Sequence, residues 1–315
     1  MNKNKTTLFL AAVLSVFCTT TSAQTDVTHS FIAFGQKTYK VDASGKKTWT
    51  YPAATRDGYV LEDGTIILTL NKSKKKYPGG AVVKITPDGK ETLIYKGTQA
   101  EVNSAHPTAD GTYVITEAGK KPRLLEVDEA GEVLVEFPLI CQTENIHLET
   151  RMARKLDDGT YLAPHLLDFA VVHYDKDGSV LKKLDTTVEG DPDRKIHAWP
   201  FTAIRTDNGH TLVTCTNGHR VVEFDADGKI VWTLTNADLP GQWLKDPCGA
   251  QVLPNGNVVI TSYAAGRADP KAPKLFEVTK EKEVVWTYVD GQKKGIHHFQ
   301  ILDTNGTKVP GAARK

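Results

Sequence analysis

The chain has 315 residues, of which 40% are hydrophobic and 24% charged, and its formal net charge is +1. This composition is typical of a soluble globular protein. A near-neutral chain lacks the basic face that nucleic-acid binding needs, so the sequence predicts no nucleic-acid partner. It also predicts no membrane-spanning segment, because no apolar run is long enough to cross a bilayer.

Residues 1–23 are predicted to be a secretory signal peptide. Lys3 and Lys5 precede the short apolar run Leu8–Phe17, and the small residues that end at Ala23 offer a cleavage site. We therefore expect the protein to be exported, to the periplasm or the extracellular space. The remaining chain is expected to form one domain over residues 24–310, followed by a tail at 311–315.

Three predicted strands follow the signal, over Ser30–Gly35, Thr38–Asp42 and Lys46–Tyr51. They match the second, third and fourth strands of a unit that recurs along the chain. The clearest copy is Arg205–Asn236, in which Asn-Gly and Asp-Gly turns separate runs rich in Val, Ile and Thr. This pattern is typical of antiparallel strands joined by tight turns.

The repeat is marked by the glycine of the turn between the first and second strands of each unit. This glycine recurs at intervals of 47, 48, 50, 47 and 50 residues, at Gly64, Gly111, Gly159, Gly209, Gly256 and Gly306. Four short strands with such a period predict a β-propeller, because one blade cannot bury both of its faces until neighbouring blades stack on it.

The incomplete ends of the chain indicate how the propeller closes. The first unit lacks its first strand, and His298–Asp303 matches a first strand with no blade after it. Pairing the two removes both exposed sheet edges. The sequence therefore predicts an all-β fold: a six-bladed β-propeller with four antiparallel strands per blade, closed by the N- and C-terminal strands in one blade.

Loop lengths indicate which face carries function. The turns between first and second strands and between third and fourth strands are short and lie on one face. The opposite face carries long connections, where binding residues concentrate. They are Gln99–Ser104, Ile140–Arg151, Thr187–Trp199, Ala237–Cys248 and Asp290–His297.

Polar side chains are frequent where the chain enters the innermost strands from this long-loop face. We expect them to converge at one mouth of the central channel, and seven of the ten histidines belong to this region. The candidates at these positions include Arg56, Asp57, Asn103, His106, His147, Glu149, Arg151, Arg154, His197, Trp199, Gln251, His297 and His298.

Two kinds of chemistry fit this set. Imidazoles from separate blades are ligands for a divalent ion such as Zn, Mn or Fe. The predicted metal ligands are His106, His147, His197, His298 and Gln251, and one divalent metal is the cofactor they would hold. Without a metal, arginines could bind a carboxylate or sulfate in a bidentate manner while a histidine or Tyr263 moves protons, as in β-elimination from a uronate.

These considerations assign a role to each candidate. The predicted catalytic residues are His106, His147, His197, His298, Tyr263 and Arg151. The predicted substrate-binding residues are Arg56, Arg154, Glu117, His165, Asp168, Trp199, Asn217 and His297. The expected partner is a small-molecule or carbohydrate ligand.

Three segments resemble a known group of propellers. Cys248–Tyr263 (CGAQVLPNGNVVITSY), Gly295–Gly306 (GIHHFQILDTNG) and Gly228–Trp232 (GKIVW) are similar to the blade pattern of pyrroloquinoline-quinone-like and arylsulfotransferase-like propellers. The arylsulfotransferase resemblance implies sulfuryl transfer through a channel histidine, His298 or His106. Six blades argue against a bound quinone, because the quinone dehydrogenases have eight. The His/Gln set is also similar to the metal site of oligogalacturonate-lyase-type propellers.

Three functions remain open from the sequence. The first is an exported lyase or hydrolase that acts on a carbohydrate or another anionic substrate at the channel mouth. The second is a propeller that binds a ligand or a protein without catalysis. The third is the sulfuryl transfer that the resemblance implies.

Overall fold

The structure, a computed structural model, describes residues 27–187 and 199–310. The predicted signal peptide at 1–23, the predicted tail at 311–315 and His197 lie outside the described residues. Strands dominate the described part of the chain, with three short 3-10 helices at Ile146–Leu148, Asn236–Asp238 and Ala265–Arg267. No helix within the described ranges is long and apolar enough to cross a membrane.

The strands are numbered in chain order and grouped here by blade. The closing blade contains β1 (His29–Gly35), β2 (Thr38–Val41) and β3 (Lys47–Tyr51). The second and third blades contain β4 (Thr55–Val60), β5 (Ile66–Leu70), β6 (Ala81–Ile85), β7 (Glu91–Lys96), β8 (Glu101–Pro107), β9 (Tyr113–Ala118), β10 (Arg123–Val127) and β11 (Val133–Pro138). The fourth and fifth contain β12 (Arg154–Lys155), β13 (Tyr161–His165), β14 (Ala170–Tyr174), β15 (Val180–Asp185), β16 (Trp199–Arg205), β17 (Thr211–Thr216), β18 (Arg220–Phe224) and β19 (Ile230–Thr235). The sixth contains β20 (Pro247–Val252), β21 (Val258–Ser262), β22 (Leu275–Val278) and β23 (Val284–Tyr288), and the chain ends with β24 (Ile296–Thr304) and β25 (Thr307–Lys308).

The prediction of a six-bladed β-propeller is confirmed. Five sheets each consist of four strands consecutive in sequence, β4–β7, β8–β11, β12–β15, β16–β19 and β20–β23. The sixth sheet has the order β25-β24-β1-β2-β3, so the C-terminal β24 pairs antiparallel with the N-terminal β1. The short β25 adds a fifth strand that the repeat did not predict, because β24 runs on past the length of the other first strands and folds back.

Apolar side chains between neighbouring blades form the core. Tyr59, Ile67 and Val82 of the second blade pack on Ile115 and Leu125 of the third, and all five are fully buried. Burying one such side chain contributes roughly 1.5–3 kcal/mol relative to leaving it exposed. Stacking of the blades thus makes the innermost strands a rigid frame around the channel.

Candidate functional site

One position is repeated in all six blades at the channel end where the long loops meet. It lies eight residues before the glycine of the first turn, and nine before it in β24, which carries an extra bulge near Leu302. The residues there, the mouth ring, are Arg56, Asn103, Arg151, Phe201, Cys248 and His297. In five blades the strand register shifts at this residue, which marks a β-bulge. Bulges redirect a side chain and are frequent beside functional sites.

The mouth ring carries two positive charges. Arg56 and Arg151 are almost completely buried, with exposed fractions of 9% and 2%. Burial, together with the charge of the neighbouring Arg56, lowers the pKa of Arg151 to about 9. Burial also raises the pKa of the Cys248 thiol, which therefore stays protonated and does not neutralise the two guanidinium groups.

Glu101 is the carboxylate that faces this pair of arginines. Its oxygens accept from Lys72 Nζ at 2.9 Å and lie 3.5 Å from Arg56 Nη2. Burial alone would raise the pKa of Glu101, but the hydrogen bond to His147 and the charge of Arg56 outweigh it and hold the pKa well below its usual range. Glu101 is therefore ionised at every pH at which the protein would work.

His147 forms a dyad with this carboxylate. Its Nδ1 lies 3.1 Å from Glu101 Oε2, while 60% of its side chain is exposed. Because an ionised carboxylate only accepts, Nδ1 carries a proton, and in the neutral form of the ring Nε2 keeps a free lone pair. The 3-10 helix that holds His147 is capped by the Asn145 side chain, and the His147 carbonyl accepts from Arg151 Nη2. The dyad and the buried arginine are thus one unit.

Aromatic rings form the other half of the mouth. His297 stacks on Tyr263 with centroids 4.4 Å apart and on Phe201 at 6.3 Å, and Arg151 lies 5.5 Å above the Phe201 ring. Burial lowers the pKa of His297 to about 3, and the charges of Arg56 and Arg151 act in the same direction. His297 is therefore neutral at physiological pH, and the stack presents an uncharged surface.

Several buried polar atoms at this mouth have no hydrogen-bond partner among residues 27–187 and 199–310. They are Nε of Arg56, Nε of Arg151, both side-chain amide atoms of Asn103, Oγ1 of Thr150 and Oε1 of Glu149. Leaving a buried polar group unpaired costs about 1–3 kcal/mol, and more for a charged group. Such a concentration at one end of the channel is typical of a site whose polar groups are satisfied by a ligand.

The centre of the channel is filled by a buried ion pair. Arg154 Nη1 lies 3.3 Å from Asp57 Oδ2, and Arg154 Nη2 lies 3.3 Å from His298 Nε2. The guanidinium also packs 5.4 Å from the Tyr59 ring. Because a guanidinium only donates, His298 Nε2 accepts from Arg154, while His298 Nδ1 lies 2.8 Å from the Phe299 backbone nitrogen and 2.9 Å from the Phe299 carbonyl oxygen. Arg154 and His298 therefore bind each other across the channel.

His106 lies toward the opposite mouth. Its Nδ1 accepts from the Lys155 backbone N–H at 3.2 Å, and its ring packs on Tyr59. It lines an open cavity of about 1400 Å³ together with Asp110 and Arg205, which belong to the short-turn face. This cavity therefore opens on the face opposite to the Glu101–His147 dyad.

The structure does not bring the predicted metal ligands together. His106, His147 and His298 lie at three different heights in the channel, and Gln251 bonds the Ile301 backbone through both amide atoms. Within the described ranges, no three His, Cys, Asp or Glu side chains group as ligands for a metal ion. His197, the remaining predicted ligand, lies outside those ranges.

The predicted substrate-binding residues divide into two groups. Arg56 and His297 belong to the mouth ring, and Tyr263, predicted to be catalytic, lies at its rim. The others lie elsewhere: Glu117 is paired with Arg123 at 2.8 Å, Asp168 accepts from the Gln142 N–H at 3.0 Å, Asn217 occupies the β17–β18 turn with φ 57°, and Trp199 begins β16 opposite Thr216. Arg154 lies in the central ion pair described above.

His165, another predicted substrate-binding residue, is completely buried and bonds Tyr174 Oη through Nε2 at 2.8 Å. Burial lowers its pKa to about 3, so it is neutral when folded and takes up a proton on unfolding below about pH 6.5. As the pH is lowered from 6 to 4, the free energy of unfolding should therefore fall more steeply in the native protein than in His165→Gln. The difference in slope should be roughly 1.4 kcal/mol per pH unit. Urea unfolding at several pH values measures this difference, and parallel slopes would contradict it.

The sequence analysis did not identify two residues of this site. Glu101 stands at the start of β8 among polar loop residues, and Phe201 is apolar and resembles a core residue. The signal that could have found both is the fixed distance from the glycine of the first turn, which places Phe201 in the mouth ring and Glu101 two residues before Asn103.

The comparisons with known proteins show the fold. No protein-family model matches the chain, and no curated protein matches it. A solved structure of a protein of unknown function from Bacteroides caccae is similar at 24% identity, with a TM-score of 0.73 over 86% of this chain and 98% of that one. A catalytically inactive His→Ala variant of virginiamycin B lyase from Staphylococcus aureus with quinupristin is similar at 12% identity and a TM-score of 0.59. The match covers 92% of this chain and 96% of that one. A chain of a nidogen/laminin complex is similar at 11% identity and a TM-score of 0.61, and the match covers 86% of this chain and 97% of that one. At these identities the likeness extends to the propeller architecture and not to its site.

Proposed function

We propose that this protein is an enzyme of the lyase type, which binds a carboxylate-bearing small molecule at the long-loop mouth. His147 removes a proton from the carbon beside the carboxylate. The electrons of that C–H bond form a C=C bond, and the group on the next carbon leaves with the electrons of its own bond and takes a proton from Tyr263. Burial raises the pKa of Tyr263, so the phenol holds its proton until the leaving group develops negative charge.

The observation that carries this proposal is that His147 and Arg56 contact the same carboxylate, that of Glu101. Glu101 orients the His147 imidazole and also lies against Arg56, so the base and the cationic pocket are held at a fixed distance from each other. Arginine is suited to carboxylate because its planar fork of donors matches the two oxygens. A bound carboxylate also withdraws electrons from the neighbouring C–H bond, which makes that proton the one a base can remove.

Two further points support the proposal. The virginiamycin B lyase whose fold this chain shares is a lyase, and its His→Ala variant is described as catalytically inactive. A related propeller architecture therefore accommodates lyase chemistry that depends on a histidine. A carbohydrate uronate is the substrate class that the predicted export of the chain favours, since such acids occur in extracellular glycans.

Calorimetric titration with galacturonate and with galactose tests the site, because the two sugars differ only in the carboxylate. Galacturonate should bind and galactose should not. In Arg151→Gln the affinity should fall about tenfold or more, because a charged hydrogen bond contributes roughly 1.5–3 kcal/mol. Arg205→Gln, at the opposite mouth, is the matched control and should bind as the native protein does.

Turnover is tested separately with oligogalacturonides, by the ultraviolet absorbance of a double bond conjugated to a carboxylate. Equal binding of the two sugars, or equal losses in both arginine variants, would rule out the long-loop mouth as an anion site. Binding without any new double bond from a panel of uronate oligosaccharides would favour the non-catalytic alternative.

A further inference from the structure

Asn103 is the polar uncharged member of the mouth ring. It lies on the bulge of β8, between Arg56 of the preceding blade and Arg151 of the following blade. Its side chain is completely buried, yet neither its amide nitrogen nor its amide oxygen has a partner among the described residues. An amide can make several hydrogen bonds, so this side chain is far from satisfied by the protein.

The residues that lie next to Asn103 in its sheet have hydrogen-bond partners for their side chains. Ser104, the next residue, shares a hydrogen bond with Thr116 at 2.8 Å. Thr116 in turn donates to the Arg151 carbonyl at 3.0 Å. The side chain that follows Asn103 on β8 is thus bonded within the protein, whereas the Asn103 amide, on the bulge, has no partner among the described residues.

The chemistry of an amide restricts what could satisfy it. A carboxylate offers only acceptors, so it can bond the amide N–H₂ and the two guanidinium groups but leaves the amide oxygen unpaired. A hydroxyl group offers a donor to that oxygen and an acceptor to the nitrogen. The cationic and amide groups together therefore match a carboxylate that has a hydroxyl close to it.

We propose that Asn103 is a specificity-determining residue, which binds a hydroxyl on one of the two carbons nearest the substrate carboxylate. The substrate class is then a hydroxycarboxylate, and simple carboxylates are bound less tightly. This inference rests on the proposed function, since it assumes that the carboxylate lies between Arg56 and Arg151.

L-Malate and succinate form a matched pair of probes, because they differ only in one hydroxyl group. The native protein should bind malate about tenfold or more tightly than succinate, since a site built to bond a hydroxyl rejects the analogue that lacks it. In Asn103→Leu the ratio of the Kd for succinate to the Kd for malate should fall to nearly one, chiefly through weaker binding of malate. Asn103→Gln, which keeps the amide but displaces it, should also lose the preference.

A second readout distinguishes this role from a structural one. Because an unpaired buried amide is unfavourable in the free protein, Asn103→Leu should raise the Tm. Thr69→Val is the control: it removes another buried and unpartnered polar group, a hydroxyl on β5, and should leave the malate preference intact.

Three results would overturn the inference. They are equal binding of malate and succinate by the native protein, a preference that survives Asn103→Leu, and an absence of malate binding altogether. The galacturonate titration then decides separately whether the anion site itself exists. A fall in Tm of Asn103→Leu would also count against the inference, because it would show that the amide is already satisfied without a ligand.

Discussion

Replacement of His147 by alanine should lower kcat by about 10²–10⁴-fold, the range that general acid–base catalysis contributes. The KM should change little, because His147 does not belong to the pair of arginines that holds the carboxylate. With 60% of its side chain exposed, His147 contributes little to packing, so the variant should keep the native Tm. Steady-state kinetics on the substrate identified by the turnover screen measure the effect.

The chain offers a matched control for this experiment. His210 Nδ1 lies 2.8 Å from Glu223 Oε1, a second His–Glu pair that belongs to the short-turn face. His210→Ala removes a similar contact far from the long-loop mouth and should keep the native kcat. If His147→Ala keeps the native kcat as well, another group is the base and the dyad has only a structural role.

Glu101 should behave as a positioning residue in the same assay. Glu101→Gln removes the charge that fixes the Nδ1 proton of His147 and that lies against Arg56. The loss in kcat should be smaller than that of His147→Ala, since the amide oxygen of glutamine can still accept from Nδ1 but no longer carries the charge that strengthens this bond. A change in KM alone would mean that Glu101 acts through Arg56 and not through the base.

The fold could be predicted from the sequence because it depends on local chemistry that is repeated. Turn glycines such as Gly64 and Gly209 have φ of 87° and 80°, a conformation that favours glycine and so marks each turn in the sequence. One turn departs from this rule: between the third and fourth strands of the sixth blade Lys282 adopts φ of 70°, where the fifth blade has Gly228.

The site was harder to predict because it depends on height along the channel. His147 lies within a long loop, and His298 and His106 follow long loops in sequence. One to three residues along a first strand move a side chain from the mouth ring to the ion pair at the centre. The bulge at the mouth ring changes which way each residue points, and no residue type marks it. Spacing from the turn glycine carries that information, whereas residue chemistry alone does not.

The largest expected effect on stability is that of Asp57→Ala. Asp57 and Arg154 are both buried, with exposed fractions of 0% and 4%, and the carboxylate lies 3.3 Å from the guanidinium. Removing the carboxylate leaves the charge of Arg154 inside the channel with a weaker partner in His298. Breaking a buried pair in this way costs roughly 3–5 kcal/mol.

Urea unfolding of Asp57→Ala, Arg154→Met and the double variant Asp57→Leu/Arg154→Met measures this effect. The double variant should recover most of the lost free energy of unfolding, because it leaves no unpaired charge and its apolar side chains fill the same space. A loss below about 1 kcal/mol in Asp57→Ala would show that water reaches Arg154 and that the channel is open through its centre. Since the ion pair separates the Glu101–His147 dyad from the large cavity at the short-turn mouth, that result would also join the two mouths into a single passage.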